Sequence, residues 1–119
     1  MSRDYRLYLD DMLEAIKQIR SYIEGQDEKS FANDRKTQDA VVRNLEIIGE
    51  AAKSLPDSFK ETASEIDWRK ITGMRNILVH EYFGINLPIV WDVVQNKLDP
   101  LEAVCQKFFE ALQNSKPVS

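Results

Sequence analysis

Apolar residues recur at helical spacing from one end of this chain to the other. Between Asp4 and about Glu24, Leu9, Met12, Leu13, Ile16, Ile19 and Ile23 fall three and four apart, the pattern of one buried helical face. That predicts a first helix ending at Gly25. Gly25 to Asp34 is polar and reads as a loop, with Asn33 or Asp34 as the N-cap of the next helix. This second helix is expected from about Arg35 to Leu55, turning Val41, Leu45, Ile48, Ala52 and Leu55 toward a core. Its other side carries a second stripe of Arg43, Ile47, Glu50 and Ser54, with Asn44 and Glu46 nearby. Such a mixed stripe fits either a solvated face, with Arg43 paired to Glu46 or Glu50, or an interface.

Pro56-Asp57 stops that helix, and the segment to Ile66 is a polar connection with room for a short helical turn. Asp67 is placed to cap a third helix starting at Trp68, with apolar contacts from Trp68, Ile71, Leu78 and Val79. Gly73 would let a neighbour pack close, and Gly84 would end the helix as its C′ residue. Pro88 suits the first turn of a fourth helix through Val90, Trp91, Val93, Val94 and Leu98. Asp99-Pro100 reads as a break. A fifth helix then carries Leu101, Val104, Cys105, Phe108, Phe109 and Leu112, before a frayed tail over 114–119. No segment sustains period-two alternation, so the expected fold is all-α: one domain over 1–119, a four- to five-helix up-and-down bundle.

Composition narrows the function classes. A chain of 119 residues can bury a single core without disulfides or a structural metal. The net charge of -4 argues against non-specific coating of nucleic acid, which needs positive potential. Residues 41–80 nevertheless carry no acidic excess, which leaves room for a local basic cleft. The N-terminal residues lack a following apolar h-region and no run approaches the roughly 20 apolar residues of a membrane span. A cytoplasmic chain is expected. Cys105 is the lone cysteine and His80 the lone histidine, so neither an intrachain disulfide nor a zinc site is expected, and Cys105 reads as a small buried hydrophobe.

The chemistry concentrates between Trp68 and Gly84, where Arg75, His80 and Tyr82 crowd into eight positions. A histidine with an unperturbed pKa of roughly 6.5 can take and return protons near neutrality, and an arginine fork matches phosphate oxygens. Together they suit phosphodiester cleavage in RNA, His80 deprotonating the ribose 2′-hydroxyl while Arg75 stabilises charge at phosphorus, without a metal or other cofactor. On one straight helix, however, Arg75 and His80 would stand about 140° apart, and Arg75 and Tyr82 within about 20°. Either the helix distorts near Val79, or the side chains converge in a cleft built with another subunit. Spacing alone also leaves ordinary structural roles open for His80 and Tyr82.

The run from Arg75 to Tyr82, an R-x4-H-x-Y pattern, resembles the signature of the HEPN superfamily and, within it, the HepT-like group. Two further blocks extend the likeness: Arg43 to Ala51 resembles the group's helix-two block, and Trp68 to Asn76 the lead-in to its motif. Phe83-Gly84 and the Val90-Trp91 region fit as well, so the resemblance covers essentially the whole chain. It implies an all-α homodimer whose motifs face across a cleft and act as a metal-independent endoribonuclease on RNA such as tRNA or mRNA. It also implies the toxin of a two-gene toxin–antitoxin module whose antitoxin, a minimal nucleotidyltransferase, transfers AMP from ATP to the motif tyrosine. On that likeness Arg75 stabilises phosphate, His80 transfers protons, Asn76 orients substrate and Tyr82 is the modified residue. Arg43 and Glu46 would border the cleft, contacting RNA phosphate, pairing across the dimer or forming a structural salt bridge. A different class stays in view: a non-catalytic helical module that binds a nucleotidyltransferase, or a plain helical dimer in which His80 contributes only stability.

Overall fold

The first helix of the computed structural model, which describes residues 4–74, 79–80 and 84–114, is α1, Tyr5–Ile23. The Asp4 carboxylate accepts from the Arg6 amide at 2.9 Å, satisfying one of the amides that a helix start leaves without an intrahelical acceptor. Leu9, Met12, Ile16 and Ile19 are fully buried, as the stripe requires. Gly25, with φ +77°, turns the chain out of the helix in a conformation that a side chain would strain.

The polar stretch that reads as a loop contains a helix, α2, Glu28–Ala32. Asp27 accepts from the Ser30 amide at 2.8 Å, while the Ser30 hydroxyl accepts from the Asp27 amide at 3.0 Å, a reciprocal capping box. Five residues cannot show a period, which is why the pattern missed it. Phe31 is only 1% exposed and lies 5.2 Å, centroid to centroid, from Trp91. The side-chain amide of buried Gln38 donates to the Phe31 carbonyl at 2.8 Å, so this polar group enters the core with a partner.

Asp34 caps α3, Arg35–Lys53, by accepting from the Thr37 amide at 3.1 Å. This helix packs most extensively on α1 and also carries α2 and the later motif stem. After it come α4, Asp57–Thr62, and α5, Trp68–Thr72, the latter capped by Asp67 as expected. The third helix does not run on to Gly84. It is interrupted at Gly73, the C-cap of α5, with Met74 helical again, and the chain is extended at β1, Val79–His80, which pairs antiparallel with β2, Gly84–Ile85. Gly84 therefore stands opposite His80 in a two-stranded ladder instead of ending a helix.

Asn86 caps α6, Leu87–Asn96, with Pro88 in its first turn. The last helix, α7, Leu98–Asn114, begins three residues before the expected start. Asp99 and Pro100 occupy its first turn, where a missing amide costs nothing and an acidic residue is favoured, so they open the helix rather than break it. Arg20 clamps α1 to α7 by pairing with Asp99 and, at 2.8 Å, with Glu102. The long helices α1, α3, α6 and α7 and the short ones between them make an all-α fold around one buried cluster, with the two-residue strands as its small exception. No described helix is long and apolar enough to cross a membrane.

Close packing falls on a different glycine from the one expected. A Cβ on Gly73 would meet only the Arg69 carbonyl of its own turn, whereas a Cβ on Gly49 of α3 would lie 3.0 Å from the Ile71 carbonyl and 3.5 Å from the Met74 Cβ. Gly49 is thus the seat of α5. Gly49→Ala should overpack that seat at a cost of about 1–3 kcal/mol, partly offset by about 1 kcal/mol of helix propensity. A lower urea midpoint is the expected outcome; a variant more stable than wild type would show that α5 does not rest there.

Cys105 is buried, and desolvation with a smaller contribution from the Glu102 charge pushes its thiol up to about 12. The reactive thiolate is therefore almost absent at neutral pH. Ellman's reagent at pH 8 should find no thiol in the folded chain and one in denaturant; rapid labelling of the folded protein would contradict this burial.

Candidate active site

Both ends of the Arg75–Tyr82 segment are anchored. On the N-terminal side, the Asp67 carboxylate accepts from the Lys70 amide at 3.3 Å, and the Trp68 indole donates to the Ala63 carbonyl at 3.0 Å while its ring meets Phe59 at 5.7 Å. Ile71 and Met74 are buried against α3 beside Gly49. On the C-terminal side, α6 is held by buried Val90 and Val94 and by the Phe31–Trp91 contact.

His80 is placed by its backbone: it lies in β1 opposite Gly84, with Val79 opposite Ile85. His80 therefore does not lie on an unbroken third helix, because the chain is extended there. The expectation of a distortion near Val79 matches this backbone. Arg75, Asn76 and Tyr82 lie outside the described residues.

Arg43 and Glu46 sit together on α3, lining a groove of about 440 Å3 between α1 and α3 with Tyr8, Asp11, Ile47, Glu50, Ala51 and Ser54. Arg43 and Glu50 are exposed, and Glu46, Ile47 and Tyr8 are half-buried. Among the described residues Arg43 forms no ion pair with either glutamate, and the Glu50 carboxylate lies 3.7 Å from Lys53 Nζ instead. The second stripe read from the sequence is thus a real groove wall. Its α1 contributors, Tyr8 and Asp11, were missed because they flank the first helix's apolar face without a pattern of their own. Gly49 was also missed as the seat of α5, although a glycine inside a strong helical stripe is itself a sign of close backbone approach.

The sequence matches the ribonuclease HepT-like family over residues 12–108. A relative in Thermococcus cleftensis named "Probable ribonuclease HepT" is 40% identical over 107 residues, 90% of this chain and 97% of that protein. In Methanocaldococcus jannaschii, "Putative RNase MJ0127" is 43% identical over 96 residues, 81% of this chain and 79% of the relative. A longer protein of the same organism, "Gamma-glutamylcyclotransferase and putative RNase MJ0434", is 39% identical over 116 residues, 98% of this chain but 52% of its own length. The chain spans about half of that relative. No solved structure matches. With a family match that contains the whole Arg75–Tyr82 segment and relatives that align nearly end to end, the chain belongs to the ribonuclease HepT-like family of the HEPN superfamily.

Proposed function

We propose that two copies of this chain form a metal-independent endoribonuclease that cuts cellular RNA, tRNA or mRNA, at a cleft where their Arg75 and His80 side chains meet. His80 of one copy removes the proton of a ribose 2′-hydroxyl. The 2′-oxygen attacks the adjacent phosphorus, and the bond to the departing 5′-oxygen breaks. His80 of the other copy supplies the proton that the leaving oxygen needs, so one strand ends in a 2′,3′-cyclic phosphate and the other in a 5′-hydroxyl. Arg75 holds the extra negative charge that develops on the non-bridging oxygens, and Asn76 orients the substrate. Membership of a ribonuclease family supports the reaction class, and the extended backbone at Val79–His80 supports the geometry most, because it frees His80 from the helical separation that would aim it away from Arg75.

The same segment carries the control. In this reading the chain is the toxin of a two-gene module in the cytoplasm, and its antitoxin is a minimal nucleotidyltransferase. The Tyr82 oxygen attacks the α-phosphorus of ATP, forming O-AMP-tyrosine and releasing pyrophosphate. A bulky phosphodiester two residues from His80 then occludes the cleft and repels the RNA phosphate that Arg75 would bind. Tyr82→Phe should cut RNA at the wild-type rate yet escape silencing by the antitoxin and ATP, with radiolabel from α-labelled ATP found on wild type alone. Equal silencing of the phenylalanine variant would rule out modification at Tyr82.

A further inference from the structure

The short helix α5 carries two exposed cations, Arg69 and Lys70, in its last turn. Its roll is fixed by what it buries. Ile71 is buried where its carbonyl meets Gly49 of α3, and the Trp68 indole donates to the Ala63 carbonyl at 3.0 Å. At roughly 100° per residue, Arg69 stands about 160° around the helix from Ile71, on the face turned away from α3.

The two cations differ in their surroundings. Lys70 Nζ lies 3.9 Å from Asp67 Oδ2, and Asp67 Oδ1 accepts from the Lys70 amide at 3.3 Å, so that carboxylate is turned to Lys70. Arg69 forms no ion pair among the described residues. Its backbone is held, because the Arg69 carbonyl accepts from the Gly73 amide at 3.0 Å and from the Thr72 hydroxyl at 3.4 Å. An open guanidinium therefore sits on an anchored turn.

We propose that Arg69 anchors the RNA strand by binding a phosphate a short way along from the one being cut. This rests on the ribonuclease reading and adds to it a substrate-positioning residue outside the Arg75–Tyr82 segment. Gly73 comes one turn after Arg69 and Arg75 two residues later, so chain connectivity keeps the Arg69 and Arg75 Cα atoms within about 13 Å. One nucleic-acid strand advances about 3.4 Å per phosphate, which makes that interval a few nucleotide steps at most. A strand with its cut phosphate at Arg75 thus has further phosphates within reach of Arg69. The net charge of -4 gives RNA no general attraction, so an individual cation at the right place matters more. The guanidinium fork can take two phosphate oxygens at once, and a side chain on an anchored turn has less freedom to lose on binding. Such a contact reads phosphate and not base, so Arg69 sets how the strand lies rather than which base is cut.

Fluorescence anisotropy tests this, titrating a labelled single-stranded RNA oligonucleotide with full-length chain in the His80→Ala background over a range of salt. The variants are Arg69→Ala, Arg69→Lys and, as a control for net charge, Lys107→Ala, an exposed cation on α7. Circular dichroism confirms folding. Arg69→Ala should bind about 5-fold more weakly at low salt, and the slope of log affinity against log salt should fall by about 0.7, the value of one phosphate contact on a single strand. Arg69→Lys should keep the slope and lose part of the affinity. With His80 restored, Arg69→Ala should raise KM for RNA cleavage more than it lowers kcat. An Arg69→Ala chain that matches Lys107→Ala in affinity and slope would overturn the anchor, as would a loss confined to kcat. Binding that depends on Arg69 in a chain that never cuts RNA would keep the anchor and remove the nuclease reading. A chain with Arg69 intact and no affinity for RNA would overturn both.

Discussion

His80→Ala should slow RNA cleavage by roughly 10²–10⁴-fold, the usual contribution of a positioned acid or base, while the melting temperature stays near that of wild type. The size of the effect follows from the chemistry. Each chain has one histidine, so in the proposed paired site the substitution would remove base and acid together. The small effect on stability follows from the backbone, because His80 lies in a two-residue strand between the helices and alanine can hold the same extended conformation. Arg75→Lys separates charge from shape: it keeps the cation but loses the planar fork, and should fall between wild type and His80→Ala. A His80→Ala protein that cuts RNA at the wild-type rate would remove His80 from the chemistry.

Phe31→Ala should destabilise the fold by about 3–5 kcal/mol, a large part of the 5–15 kcal/mol typical of a small domain. Phe31 fills the junction of three helices. Its ring packs on Trp91 of α6, and its carbonyl takes the buried Gln38 amide of α3. Removing the ring leaves a cavity beside a polar group that depends on this wall, and it loosens α6, which begins right after β2. Urea denaturation would show the loss. A double-mutant cycle with Trp91 should return about 0.5–1.5 kcal/mol of aromatic coupling. A loss under 1 kcal/mol would mean that α2 is an ornament on the bundle instead of a strut under the motif.

The long helices were readable because each buries one continuous face. Leu9 to Ile23 and Val41 to Leu55 repeat the helical spacing often enough that no other structure satisfies them, and Asp4, Gly25, Asp34 and Asp67 mark ends where their side chains or backbones are in fact used. The short elements were harder to read. α4 falls where the sequence left room for a short helical turn, but α2 was missed, since five residues have no room for a period; each contributes one buried aromatic, Phe59 or Phe31, to a core made elsewhere.

The motif segment failed in a more informative way. Ile77, Leu78 and Val79 form a short apolar run, which periodicity cannot assign between helix and strand. The β-branched residues Val79 and Ile85, opposite each other in the ladder, favour the extended form there. The supports described on either side, Gly49 under α5 and the Phe31 contact on α6, flank the stretch that the sequence chemistry singles out.

The end groups left on cut RNA decide between this mechanism and any other. Purified full-length chain should be incubated with end-labelled RNA in excess EDTA and the termini of the products identified. Paired action of His80 and Arg75 predicts cleavage without added metal, leaving 2′,3′-cyclic phosphate and 5′-hydroxyl termini. Products with 3′-hydroxyl and 5′-phosphate termini, or cleavage that starts only when magnesium is restored, would contradict it.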